Sequence, residues 1–157
     1  MNGVRLILLL WLGFGQPAVA ETARLMGSIG VHQETPSSAE AYIRYLGEPY
    51  FWKLQPVLGL SVAQHGAAWV GAGAAVSFRV HHGGLFLRLS SMAGLHARGS
   101  GKDLGGPIQF RTALDIGFKT SSGVEFGIGG DHRSSALIYR PNPGLNTGYL
   151  FASIPLR

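Results

Sequence analysis

Apolar residues alternate with polar or small residues from Arg24 almost to the end of the chain, and turn-forming residues interrupt this alternation to leave eight segments. Side chains of a β-strand point alternately to its two faces, so each segment predicts a strand with one apolar face. These apolar faces comprise Leu25, Gly27, Ile29 and Val31; Ala39, Ala41, Ile43 and Tyr45; Leu54, Pro56, Leu58, Leu60 and Val62; Val70, Ala72, Ala74, Val76, Phe78 and Val80; Leu85, Leu87, Leu89, Ala93 and Leu95; Ile108, Phe110, Thr112, Leu114, Ile116 and Phe118; Val124, Phe126, Ile128 and Gly130; and Leu150, Ala152 and Ile154.

The first twenty residues predict a secretory signal peptide. Arg5 gives a short positive region, residues 6–14 are apolar, and Ala18-Val19-Ala20 has the small-x-small form of a cleavage site. The predicted mature chain, residues 21–157, is long enough for one domain. It contains no cysteine, which excludes disulfides, thiolate metal sites and a cysteine nucleophile.

The second face of the predicted strands combines glycine with charged and hydroxyl side chains. It carries Arg44, Ser61, Ser77, Arg79, Arg88, Ser90, Arg111, Asp115, Glu125, Asp131 and Arg133. The alternation alone would also fit a soluble sandwich. Export, an even number of segments and a composition with 46% apolar and only 13% charged residues favour an all-β fold, an eight-stranded antiparallel transmembrane β-barrel with apolar side chains toward lipid. Such a barrel is filled by its own side chains, so a pore is not expected, and Arg is expected to pair inside it with Asp or Glu of neighbouring strands.

The connections between segments differ in length. Residues 81–84 and 120–123 form short turns, whereas residues 99–107 and 135–147 form long loops. Outer-membrane barrels have short periplasmic turns and longer extracellular loops. The long loops are therefore expected outside the cell, and the end of the seventh strand is expected at the extracellular rim.

The apolar face of the seventh strand ends in two chemically active residues. His132 and Ser134 follow Ile128 and Gly130 on the same face, and a histidine that can reach a serine is the minimum for a base-activated hydroxyl nucleophile. An isolated His-x-Ser at a strand end is usually incidental, so the pair needs support from its surroundings. Here that support is its place on an apolar face, where polar groups are costly.

His132-x-Ser134 followed by Asn142-Pro143-Gly144 and a final strand resembles the outer-membrane lipid A 3-O-deacylase (acyloxyacyl hydrolase, PagL-type) family. The resemblance is specific over about the last 50 residues. It implies an eight-stranded barrel that hydrolyses an acyl ester of lipopolysaccharide on its lipid-facing exterior. It further implies that Ser134 is the nucleophile, His132 the general base and Asn142 an oxyanion donor.

The chain departs from the family pattern at two positions. The family often has Asn where this chain has Ser135, and it has a Glu, which orients the histidine, where this chain has Asn146. Asparagine can still accept a hydrogen bond from an imidazole N–H, as in Cys-His-Asn enzymes. We therefore expect Asn146 to replace the glutamate as the orienting residue.

The remaining predictions concern partners. Arg98, Lys102 and Arg140 lie in the long loops and are expected to contact lipid A phosphates, with solvated loop charge as the alternative. The cations elsewhere alternate with apolar residues and do not cluster, which argues against nucleic acid. Adjacent His81 and His82 lack a third ligand nearby, so no metal or cofactor is expected. The sequence leaves open a homodimer, and also a structural or adhesive small outer-membrane barrel with a decayed hydrolase site.

Overall fold

The computed structural model describes residues 22–80 and 83–156, and each of the eight predicted segments forms a strand. The strands are β1 (Arg24–His32), β2 (Ser38–Leu46), β3 (Leu54–Ala63), β4 (Ala68–Arg79), β5 (Leu85–Ala97), β6 (Ile108–Lys119), β7 (Glu125–Ser134) and β8 (Leu145–Pro155). Short 3₁₀ turns occur at Phe51–Lys53 and Gln64–Gly66. The signal peptide and the pair His81 and His82 lie outside the described residues, so the predictions for them stay predictions.

The strands form one closed antiparallel barrel in the order β1 to β8. Each strand pairs with the next, and β1 pairs with β8 from Arg24 opposite Pro155 to His32 opposite Thr147. Closure pairs the backbone groups of every strand on both sides, which a lipid environment requires because it offers no water to satisfy them. The predicted fold class is confirmed.

The outer surface of the barrel is apolar. Ile29 is 73% exposed and Leu150 is 67% exposed, and the other residues of the predicted apolar faces point the same way. Most of the predicted inward residues are buried, among them Arg111 and Asp115, which are fully enclosed, whereas Ser77 is half-buried and Arg79 is exposed. A polar interior inside an apolar exterior reverses the pattern of a soluble domain and is the arrangement of a membrane barrel. Among the described residues, no helix has the length and apolar character needed to cross a membrane.

Ion pairs and aromatic rings fill the interior. The Arg44 guanidinium donates two hydrogen bonds to the Asp115 carboxylate, at 3.0 and 2.8 Å, and the Tyr149 hydroxyl donates a third at 2.7 Å. A second cluster joins Arg111 to two carboxylates. Buried charges persist only when they are paired, and here several arginines pair with inward acids. The expectation of internal ion pairs is confirmed, and that of pairing between neighbouring strands holds for Arg111 and Asp131 but not for Arg44 and Asp115, which pair across the barrel.

The two long connections, 98–107 and 135–144, lie at the same end of the barrel, which we call the long-loop end. The predicted second loop was too long, because residues 145–147 belong to β8. Asn146 lies opposite His132 of β7. The backbone carbonyl of Asn146 accepts a hydrogen bond from the backbone N–H of Gln33 at 2.8 Å, which extends the ladder between β1 and β8. The sequence pattern of Pro, Asn and Gly could not reveal this pairing.

Candidate active site

His132 lies on the outer face of β7, two residues before this strand finishes at the long-loop end of the barrel. Its partner across the β7–β8 ladder is Asn146, which is also exposed on the outer face. The His132 Nδ1 and the Asn146 Oδ1 are 2.7 Å apart. The structure therefore brings together the two residues that the sequence predicted to share one rim.

The partner of Nδ1 decides which nitrogen of His132 carries the proton. A side-chain carbonyl oxygen only accepts, so Nδ1 must donate to Asn146 Oδ1 and the unprotonated lone pair is left on Nε2. The Asn146 amide in turn donates from Nδ2 to the Gln33 Oε1 at 3.2 Å. Gln33 belongs to the turn between β1 and β2, and the sequence analysis did not identify it.

The two adjacent serines have opposite surroundings. Ser134 is half-buried at the end of β7 and shares the outward parity of His132. Ser135 is completely buried, and its Oγ accepts a hydrogen bond from the Tyr139 N–H at 3.4 Å. Only Ser134 is thus on the surface that carries His132.

Asn142 holds the start of the loop that follows Ser134. Its Oδ1 accepts a hydrogen bond from the Ser135 backbone N–H at 3.0 Å. Because the carbonyl oxygen is committed to that bond, the side-chain NH₂ of Asn142 is the group left to donate to another acceptor. The Ser135 N–H donates to Asn142 Oδ1, so it is not left to bind another acceptor.

Gly144 lies close against the imidazole ring of His132. Its φ is +64°, and a Cβ built on it would lie 2.7 Å from the Cε1 and 3.2 Å from the Nε2 of His132. Glycine satisfies both the left-handed backbone and the close approach. The sequence analysis recognised Gly144 as part of a motif but not as a wall of the histidine site.

A groove with a volume of about 410 Å³ runs along the outer surface beside His132. Gly130 and Gly148 lie opposite each other in the β7–β8 ladder and leave its floor without side chains. Leu89 and Leu114 contribute apolar walls. The groove has the apolar lining that a hydrocarbon chain requires.

The three candidate phosphate-binding cations lie at the same end of the barrel but outside this groove. Arg98 pairs with Asp103 at 2.8 Å, with both side chains more than half exposed. Lys102 lines a separate cleft of about 510 Å³ that also includes Gln33 and His65. Arg140 is exposed in the loop between β7 and β8. Within the described residues, no three His, Cys, Asp or Glu side chains lie close enough to hold a metal ion.

Residues 37–155 match the sequence profile of a family described as lipid A 3-O-deacylase (PagL). The chain belongs to the lipid A 3-O-deacylase family. The matched region extends from before β2 to the end of β8 and includes all the candidate catalytic residues. No curated protein matches the chain in sequence.

Solved structures support the same fold. The crystal structure of the outer membrane enzyme PagL is 18% identical, covers 85% of this chain and 99% of its own, and superimposes with a TM-score of 0.68. Neisserial surface protein A is 10% identical over 85% of this chain and 96% of its own, with a TM-score of 0.61. A de novo designed transmembrane β-barrel is 12% identical over 85% and 95%, with a TM-score of 0.56.

The family match and the fold together show the class of protein and its location. It is an outer-membrane β-barrel of the lipid A deacylase family, as the resemblance of its last strands implied. Lipid A in the outer membrane is the substrate that fits this family.

Proposed function

We propose that the protein hydrolyses the ester-linked acyl chain at the 3-O position of lipid A in the outer leaflet, with Ser134 as nucleophile and His132 as general base. The observation that carries the proposal is the 2.7 Å contact between His132 Nδ1 and Asn146 Oδ1 on the apolar outer face. This contact leaves the lone pair of Nε2 available to a hydroxyl, as a base-activated nucleophile needs.

The proposed reaction begins at the Ser134 hydroxyl. His132 Nε2 takes the proton of the Ser134 hydroxyl while Ser134 Oγ attacks the ester carbonyl carbon. The bond from that carbon to the sugar oxygen breaks, and His132 returns the proton to the sugar oxygen. A water molecule then repeats the attack on the acyl-serine with His132 as base, which releases the fatty acid and restores Ser134.

Asn142 is the proposed oxyanion donor. Its Oδ1 is held by the Ser135 N–H, so its NH₂ group can be directed at the negative oxygen of the tetrahedral intermediate. A single donor of this kind is worth about 10²-fold to 10³-fold in turnover. The family resemblance implied Asn142 as the donor, and the engagement of the Ser135 N–H with Asn142 Oδ1 supports a role for the side-chain NH₂.

The surroundings of the site fit an amphiphilic substrate. The groove beside His132 can take an acyl chain at the depth of the outer leaflet. Arg98, Lys102 and Arg140, at the same end of the barrel, are proposed to face the phosphates of the headgroup, where lysine and arginine are the usual partners. The ester would then lie at the boundary between the apolar and polar parts.

Mass spectrometry of lipid A tests the proposal. Lipid A from a host without its own deacylase should lose one 3-O-linked acyl chain when the protein is expressed. Ser134→Ala should abolish the loss, whereas Ser135→Ala, which gives up one hydrogen bond to Tyr139, should retain most of the activity. Heat-modifiable migration in electrophoresis confirms that both variants fold.

Two other outcomes would count against the proposal. An unchanged lipid A profile with a folded wild-type barrel would favour the structural or adhesive barrel with a decayed site. Loss of activity in Ser135→Ala with retention in Ser134→Ala would assign the nucleophile to the inward serine and overturn the proposed geometry.

A further inference from the structure

An asparagine in place of a glutamate introduces an ambiguity at this site. A carboxylate can only accept from His132 Nδ1, but the two ends of an asparagine amide have nearly the same shape and opposite hydrogen-bonding roles. If Asn146 presented its NH₂ to the ring, Nδ1 would have to accept and the proton would move to Nε2. His132 would then be unable to take a proton from Ser134.

The structure places a second amide, that of Gln33, beside Asn146. Gln33 Oε1 accepts a hydrogen bond from Asn146 Nδ2 at 3.2 Å, while Asn146 Oδ1 faces His132 Nδ1 at 2.7 Å. The two side-chain amides are held side by side, because the backbone N–H of Gln33 donates to the backbone carbonyl of Asn146 at 2.8 Å in the continuation of the β1–β8 ladder. When Gln33 presents its Oε1, the Asn146 amide takes the orientation that His132 requires.

We infer that Gln33 is a positioning residue that fixes the Asn146 amide, and through it the Nδ1–H tautomer of His132. The inference deepens the proposed function and, for its kinetic part, rests on it. Gln33 hydrogen-bonds to Asn146 through both its backbone and its side chain, and it is proposed to act on His132 through Asn146.

The inference predicts that the effect of a charge at position 33 reverses with the residue at position 146. With Asn146, Gln33→Glu supplies an obligatory acceptor and should keep activity at or above the wild-type level. With Asn146→Glu, the wild-type Gln33 can turn and donate to the carboxylate, whereas Gln33→Glu places two carboxylates side by side. The double variant should therefore be at least tenfold less active than Asn146→Glu alone.

Gln33→Met removes the acceptor with little change in shape. With Asn146 in place, Gln33→Met should lower kcat about fivefold to tenfold, the factor that corresponds to the loss of one neutral hydrogen bond. KM should change little. Gln64→Met is the matched control, since Gln64 is also an exposed glutamine at the long-loop end and accepts a hydrogen bond from the Ala39 N–H at 3.1 Å. The control should leave kcat unchanged.

Nitrogen-15 NMR of the histidine rings in detergent micelles reads the tautomer without any substrate. The His132 signals are those that disappear in His132→Gln. The wild type should show Nδ1–H, and Gln33→Met should show a mixture of the two tautomers.

The outcomes separate this inference from the proposed function. A pure Nδ1–H signal in Gln33→Met, or an equal effect of Gln33→Glu in both backgrounds, would overturn the inference. If no variant deacylates lipid A but Gln33→Met still mixes the tautomers, the proposed function fails and the positioning role of Gln33 stands.

Discussion

At the scale of single residues, Gly144 controls the space available to the His132 ring. In Gly144→Ala, the new Cβ would lie 2.7 Å from the ring and the backbone would be strained at a φ of +64°. We expect the ring to move, with a loss of about 10²-fold or more in kcat, because small misplacements of a catalytic group cost that much. Assays of lipid A deacylation on folded protein measure it.

Gly66→Ala provides the control for the backbone effect. Gly66 also lies at the long-loop end with a φ of +75°, but its Cβ would meet nothing within 4 Å. Equal losses of activity in the two variants would attribute the effect to the backbone and remove the role of Gly144 beside the ring.

The sequence predicted some of these residues and could not predict others. His132 and Asn146 share a face by the alternation of their own strands, so parity was sufficient for both. Gln33 is 113 residues away from Asn146 and meets it only because β1 pairs with β8 in a particular register. The contact of Gly144 with the ring depends on the path of a loop, which alternation does not describe.

At the scale of elements, the 98–107 loop supports the 135–144 loop that carries Asn142. Gly105 has a φ of +87°, and a Cβ on it would collide with the Pro141 carbonyl oxygen and lie 3.1 Å from the Tyr139 Cβ. Gly105→Ala should therefore displace the second loop and lower deacylation about tenfold or more, since the loop carries the proposed oxyanion donor.

Gly123→Ala is the matched control for this variant. Gly123 has the same φ of +87° in a turn at the opposite end of the barrel, and its Cβ would make only an ordinary 3.4 Å contact with Pro155. Heat-modifiable migration should show both variants folded. An active Gly105→Ala enzyme would mean that the two loops are independent.

Strands were more predictable than loops for a physical reason. Every segment that alternates in the sequence is a strand, because lipid outside and charges inside impose opposite demands on adjacent residues. Loops carry no such constraint. The start of β8 at Leu145 was missed because the Pro, Asn and Gly residues before it extend the turn pattern into the strand.

At the scale of the whole molecule, the buried charges make the barrel dependent on complete pairing. Arg111 donates to Glu40 and to Asp131, and all three side chains are buried. Arg111→Met should destabilise the barrel by about 3–5 kcal/mol, because it leaves the buried Asp131 carboxylate without its arginine, while Glu40 keeps Arg133. Urea unfolding in detergent measures the change.

Arg98→Met tests the same chemistry at an exposed pair. Arg98 and Asp103 are more than half exposed, so their separation should cost less than about 1 kcal/mol. Similar losses in the two variants would show that burial does not govern the contribution of the ion pairs.

The orientation of the barrel in the membrane can be tested with single cysteines, since the natural chain has none. Ser100→Cys in the 98–107 loop should react with a membrane-impermeant maleimide on intact cells. Ser121→Cys, in the turn between β6 and β7 at the opposite end, should react only after the cells are opened. The reverse labelling would place His132 at the periplasmic side and remove its access to the outer leaflet.

Charged and aromatic side chains fill the barrel interior, whereas the proposed site lies on the outer face. The interior therefore stabilises the fold, and the proposed chemistry takes place outside it. Substrate and product need no passage through the barrel, since both would arrive and leave sideways within the plane of the bilayer. With the proposed site, the enzyme would respond to the mole fraction of its substrate among the surrounding lipids, and not to an amount per volume of water. Inert lipid added to the membrane then acts as a diluent, and the composition of the leaflet sets the rate of turnover.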